Sequence, residues 1–123
     1  MQYLTDRKRA TGLGAAHSGT QHHWAMTKSA AALIVLVPLF LCTFGSILGA
    51  PHAEVVAYYS RPFPALVAGL TILVGMIHFR GGVQIVIEDY VHGGAGRFWI
   101  VVMAGLSYAL AATGLFAVLR LAL

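Results

Sequence analysis

The stretch that decides the fold runs from Phe63 to Ile87 and reads FPALVAGLTILVGMIHFRGGVQIVI. Its 25 residues contain one charged side chain, Arg80. At a helical rise of 1.5 Å per residue, ~20 apolar residues cross the ~30 Å hydrocarbon core of a bilayer. A backbone inside lipid finds no water, so it must satisfy its own hydrogen bonds as a helix. The stretch therefore predicts a transmembrane helix.

Two further runs have the same character. The runs 30–50 and 98–119 contain 21 and 22 residues without a charge, in a chain that is 59% hydrophobic and only 10% charged. We predict an all-α membrane protein in which an N-terminal segment, 1–28, precedes a three-helix transmembrane anchor domain, 29–123. The predicted helices cover about 29–50, 63–89 and 97–121.

The basic residues indicate how the helices are oriented. Four of them precede the first helix and only Arg61 lies in the first loop; the four are Arg7, Lys8, Arg9 and Lys28. By the positive-inside rule the N-terminus is cytoplasmic and the C-terminus lies outside. The net charge of +4 is then a topology signal, and we predict no nucleic-acid partner. Asp6 among the basic residues argues against a mitochondrial presequence, so a bacterial inner membrane is favoured.

Local signals predict the segments between the helices. The chain before Trp24 is polar and glycine-containing, and we expect it to be irregular up to that residue. The loop from Ala50 to Pro64 contains three prolines, which break regular structure. The run of Gly93, Gly94, Ala95 and Gly96 predicts a tight turn before the third helix.

One face of the second helix carries an unusual set of residues. Steps of four and three along a helix stay on one face, and here they meet Thr71, Gly75, His78, Gly82, Ile85 and Asp89. Ionisable groups within a membrane are costly and often mark a functional site. The two glycines beside the imidazole would let another helix approach closely or leave a recess that a flat macrocycle could fill. The pattern is thus compatible with an axial haem ligand or with a hydrogen bond to a neighbouring helix.

Asp89 and Tyr90 follow His78 by 11 and 12 residues, which places them about 16 to 18 Å further along the axis. A phenol at the membrane edge can donate a hydrogen bond to a quinone carbonyl, and a carboxylate beside it can relay a proton. An interfacial anchoring role is the alternative. Arg80 could extend towards the interface or pair with a buried anion such as a haem propionate.

The spacing of His78 and Asp89-Tyr90 within HFRGGVQIVIEDYVH resembles the second helix of the family of succinate dehydrogenase hydrophobic membrane-anchor subunits. The stretch GTQHHW at 19–24, followed by KSAAAL at 28–33, is similar to the segment that leads into that family's first helix. The resemblance implies that His78 is an axial ligand of haem b, shared with a cytochrome b subunit. It also implies that Tyr90, supported by Asp89, binds ubiquinone as a substrate.

On this resemblance the chain is no enzyme on its own. It would be one subunit of the succinate:ubiquinone oxidoreductase, complex II of the respiratory chain and tricarboxylic acid cycle, with flavoprotein and iron–sulfur partners. Lys28 stands where the family usually has arginine near the haem propionates, and Arg80 stands at an ordinarily apolar or small position. With Gly75 and Gly82, these are the expected haem contacts. The alternatives are a fumarate-reductase-type anchor, or a small scaffold or transport subunit without haem.

Overall fold

The computed structural model describes residues 5–7 and 19–123. Four helices lie within residues 19–123: α1 (Gly19–Gly45), α2 (His52–Tyr59), α3 (Pro62–Tyr90) and α4 (Gly93–Ala122). α1, α3 and α4 are long and apolar enough to cross a membrane, and the described residues form no strand. The prediction of an all-α protein with three candidate membrane spans is confirmed.

The first helix is where the predicted and observed bounds differ most. α1 is already helical at Gly19, ten residues before the predicted start at 29, and it ends at Gly45 rather than near residue 50. The prediction that the chain is irregular up to Trp24 is therefore wrong for the described residues of this segment. The contacts that distinguish this segment are tertiary, because His22 and Met26 lie beside Gly81 of α3, and periodicity within the segment does not show them.

The prolines and glycines that were predicted to form loops lie mostly at the starts of helices. Pro51 directly precedes α2, a short helix that the sequence interpretation missed, and Pro62 lies at the start of α3. Proline is tolerated there because the first helical N–H groups have no partner within the helix. The predicted tight turn reduces to Gly93, whose φ is +73°. Gly94 and Gly96 belong to the first turn of α4.

The last residue of α2 is an aromatic side chain that lies in the protein interior. Tyr59 is buried, and its ring lies edge-on to Tyr58 with centroids 5.4 Å apart. Burial, with a smaller contribution from Tyr58, raises the pKa of the Tyr59 phenol above its ordinary value.

α3 is the central helix, with α1 and α4 packed on either side of it. On α4, Ser107 and Ala111 are buried and lie one turn apart. One turn further on, a Cβ added at Gly114 would meet the Ile72 side chain of α3 at 2.9 Å. Small residues at this spacing allow two membrane helices to approach closely. The antiparallel helices α3 and α4 therefore pack closely at these small residues.

Candidate functional site

The candidate site lies where α1 crosses α3, and His78 is its central residue. The imidazole is half-buried, and its Nδ1 lies 2.9 Å from the hydroxyl oxygen of Ser29 on α1. Ser29 is only 8% exposed. The Ser29 hydroxyl therefore occupies one ring nitrogen of His78 and leaves Nε2 as the nitrogen available for a further contact.

A glycine that the sequence analysis gave no role lies at this helix crossing. A Cβ added at Gly81 would collide with the sulfur of Met26 and would lie 3.7 Å from Cε1 of His22. A larger residue at position 81 would therefore displace the flexible side chain of Met26. Gly81 is thus the point where the Met26 side chain of α1 packs against the backbone of α3.

The two glycines predicted to flank His78 have different surroundings. A Cβ at Gly75 would meet nothing within 4 Å, whereas one at Gly82 would lie 3.8 Å from Cε of Met26. The space beside Gly75, one turn before His78, is therefore open. Gly82 borders α1 instead, in ordinary van der Waals contact.

A small cavity of about 100 Å³ adjoins this crossing between α1 and α3. Its polar lining comes from His22, Ser29, Arg80 and Gln84, and its apolar lining from Ala25, Met26, Ile77 and Gly81. The Nε2 atom of His22 is buried without a hydrogen-bond partner among the described residues. Buried polar atoms normally have a partner, so the cavity offers an unused polar atom beside a guanidinium.

The structure places Arg80 against the third membrane helix. Its Nη1 donates a 2.7 Å hydrogen bond to the hydroxyl oxygen of Tyr108 on α4, and its guanidinium carbon lies 5.2 Å from the centre of that ring. A cation over an aromatic face is attracted by the ring quadrupole. The contact uses one of five N–H donors, so the guanidinium can also bind an anion. Sequence reasoning gave Tyr108 no role.

The predicted quinone residues stand at the end of α3 and away from this cluster. Asp89 and Tyr90 are both exposed, and Tyr90 is 81% exposed. Neither side chain has a hydrogen-bond partner within the described part of the chain. Lys28 is also exposed on α1, next to Ser29. These groups are free to meet a ligand or another subunit.

The side chains available as ligands limit which metal-containing group the site could hold. Among residues 5–7 and 19–123, no three His, Cys, Asp or Glu side chains converge on one point. A haem brings its own equatorial nitrogens and takes an axial imidazole from the protein. A single histidine with a free Nε2, open space beside Gly75 and nearby cationic side chains fits that group.

Comparisons with known proteins point to one family. The sequence-family model described as succinate dehydrogenase/fumarate reductase transmembrane subunit matches residues 1–117. The chain is 46% identical to a succinate dehydrogenase hydrophobic membrane anchor subunit of Paracoccus denitrificans, over 100% of this chain and 95% of that protein. A protein of the same name from Rickettsia bellii is 29% identical over 68% of this chain and 66% of its own length. No solved structure matches the chain. The chain thus belongs to the family of succinate dehydrogenase/fumarate reductase transmembrane subunits.

Proposed function

We propose that this chain anchors a succinate dehydrogenase to the membrane, provides one axial ligand of haem b and forms part of the ubiquinone-reduction site. The main support is its similarity, along its whole length, to a succinate dehydrogenase anchor subunit. A half-buried imidazole on the central membrane helix supports the haem role. The chain alone is no enzyme, because succinate oxidation would belong to the flavoprotein.

The haem part of the proposal uses the residues at the α1–α3 crossing. His78 would bind the iron through Nε2, and a cytochrome b subunit would supply the other axial ligand. Bound haem provides a site that stores and passes on one electron. The propionates could bind to Arg80 and to the buried Nε2 of His22, which line the cavity, and to the exposed Lys28. Charge-assisted hydrogen bonds to carboxylates are among the strong ones.

The quinone part of the proposal uses the exposed end of α3. Reduction of a quinone to a quinol takes two electrons and two protons. The Tyr90 hydroxyl would donate a hydrogen bond to one carbonyl oxygen, which orients the ring and stabilises negative charge as it develops there. The Asp89 carboxylate would hold that hydroxyl or pass it a proton from water.

In the predicted orientation, this end of α3 would lie beside the soluble subunits. With a cytoplasmic N-terminus, α3 runs inward and Tyr90 lies at the cytoplasmic face of a bacterial inner membrane. Iron–sulfur and flavoprotein subunits docked on that face could deliver electrons close to Tyr90. The exposed apolar residues of the three spans would then be covered by lipid and by the cytochrome b subunit.

Two alternative functions are a fumarate-reductase-type anchor and a haem-free scaffold or transport subunit. A fumarate-reductase-type anchor would have the same fold, and the direction of electron flow would depend on the potential of its quinone. The family description covers both reactions, but both named relatives are succinate dehydrogenase subunits. A haem-free scaffold or transport subunit would not need the imidazole of His78.

Co-purification tests the proposal as a whole. A tagged form of this chain, solubilised from membranes in mild detergent, is expected to bring down a flavoprotein, an iron–sulfur protein and a second membrane subunit. The purified complex should reduce ubiquinone with succinate and show a b-type absorption band on reduction. Isolation of the chain without these subunits, from membranes that contain them, would contradict the anchoring role.

Arg80 allows a second test, aimed at the propionate contact. Arg80→Leu is expected to weaken haem retention by about tenfold or more, because hydrogen bonds to charged groups contribute more than neutral ones. Haem per complex, measured by the pyridine haemochrome assay during a detergent wash, checks this. Arg120→Leu removes a cation from the last turn of α4 and is the matched control. Unchanged haem retention and unchanged quinone kinetics in Arg80→Leu would remove this residue from the site.

A further inference from the structure

We propose that Ser29 is a positioning residue for His78. Its hydroxyl oxygen accepts a hydrogen bond from the Nδ1–H group of the imidazole, which leaves Nε2 unprotonated and available to the iron. The inference depends on the haem role proposed above for His78. It adds to that site a side chain from a different helix, 49 residues away in sequence. It also specifies which tautomer of His78 the protein selects.

The contacts of the Ser29 hydroxyl favour one proton arrangement. Its oxygen lies 2.9 Å from the carbonyl oxygens of Ala25 and Met26 and 2.9 Å from Nδ1 of His78. A serine hydroxyl has one hydrogen to donate and two lone pairs that accept, whereas a carbonyl oxygen only accepts. If the hydroxyl donated its hydrogen to Nδ1, no hydrogen would lie between the hydroxyl oxygen and either carbonyl oxygen.

The other arrangement satisfies every contact. The hydroxyl hydrogen is shared by the two carbonyl oxygens, and Nδ1 carries a hydrogen that it donates to the hydroxyl oxygen. Neutral imidazole has a hydrogen on only one nitrogen, so Nε2 then holds a lone pair. This is the form of histidine that binds a metal, and the hydrogen bond at the other nitrogen sets it.

Burial makes the contribution of Ser29 specific. The hydroxyl is largely shielded from solvent, and the side chain of Met26 packs against Gly81 of α3 beside it. An N–H group left without an acceptor in such surroundings is costly. Metal-binding histidines commonly donate their second N–H to an acceptor, which fixes the ring and makes the ligand more basic. A more basic imidazole stabilises ferric over ferrous iron and lowers the midpoint potential.

Another buried serine provides the matched control. Ser107 is 1% exposed, and its hydroxyl donates to the carbonyl oxygen of Met103 at 2.7 Å. Ser29 and Ser107 thus share burial and a bond to a backbone carbonyl, but only Ser29 contacts an imidazole among the described residues. If the loss of any buried hydroxyl changed the haem potential, both Ser29→Ala and Ser107→Ala would change it. If control of the His78 tautomer is what matters, only Ser29→Ala should change it.

The experiment is a redox titration of the haem in the complete purified complex, followed at the b-type band, with ferric low-spin electron paramagnetic resonance as a second measurement. Ser29→Ala should raise the midpoint potential, so that the ferrous-to-ferric ratio at a fixed ambient potential increases about two- to tenfold, as expected for one hydrogen bond. The low-spin signal should shift as well. Ser29→Thr retains a hydroxyl and should return both values towards wild type, and Ser107→Ala should change neither.

Three results would overturn the proposal: an unchanged potential and signal in Ser29→Ala, equal shifts in Ser29→Ala and Ser107→Ala, or no recovery in Ser29→Thr. If Ser29→Ala does not assemble, Ser29→Cys carries the measurement, because a thiol fills the site but accepts hydrogen bonds weakly. Wild-type potential in Ser29→Cys would overturn the proposal in the same way. Absence of haem from the wild-type complex would refute the proposed function itself, so the two failures are distinguishable.

Discussion

His78→Ala is expected to abolish the low-spin b-type spectrum of the assembled complex. Removal of the imidazole would take away the axial nitrogen proposed for this chain. The other imidazole at the α1–α3 crossing, His22, lies beside Gly81 and so is not placed to replace it directly. The remaining haem would be lost or would become high-spin. The reduced-minus-oxidised spectrum of the purified complex measures this, with haem normalised to the flavin content.

The matched control for this prediction is His92→Ala. His92 is an exposed histidine that directly precedes α4 and has no part in the proposed site. It should leave haem content and band position unchanged. A wild-type low-spin spectrum in a His78→Ala complex that contains all its subunits would refute axial ligation and favour the scaffold alternative.

Tyr90→Phe is expected to slow succinate-driven ubiquinone reduction by on the order of 10- to 100-fold. This range lies between the loss of a ground-state hydrogen bond and the loss of a donor to a developing oxyanion. The exposed phenol makes few contacts within the chain, so the substitution should have little effect on folding. Succinate oxidation with an artificial acceptor that bypasses the membrane should be unaffected.

Tyr58→Phe serves as the comparison for Tyr90. Tyr58 lies on α2, at the opposite end of the three-helix unit, where its hydroxyl is 3.3 Å from the Ser46 hydroxyl. It should leave both assays at wild-type rates. Equal quinone reduction by Tyr90→Phe and wild type would return Tyr90 to the role of an interfacial anchor.

The three membrane spans could be predicted from sequence because the bilayer imposes a simple condition. A run of ~20 apolar residues leaves the backbone no option in lipid except a helix. For α3 the observed bounds, Pro62–Tyr90, lie one residue from the predicted ones at each end. The early part of α1 was missed because residues 19–28 have no such run, and their contacts with α3, such as that of Met26 with Gly81, are tertiary.

The sequence by itself determined the helical class, the number of candidate spans and the position of His78 and Tyr90 along one helix. Those features follow from composition and from the periodicity of a single segment. Only the tertiary structure decided which groups meet, since Ser29 reaches His78 across 49 residues and Arg80 reaches Tyr108 across 28. Periodicity along one helix contains no information on how a second helix is rotated and shifted against it. That relation appears only in the side-chain contacts at the crossing, where Met26 lies against Gly81 and the Ser29 hydroxyl lies against the imidazole of His78.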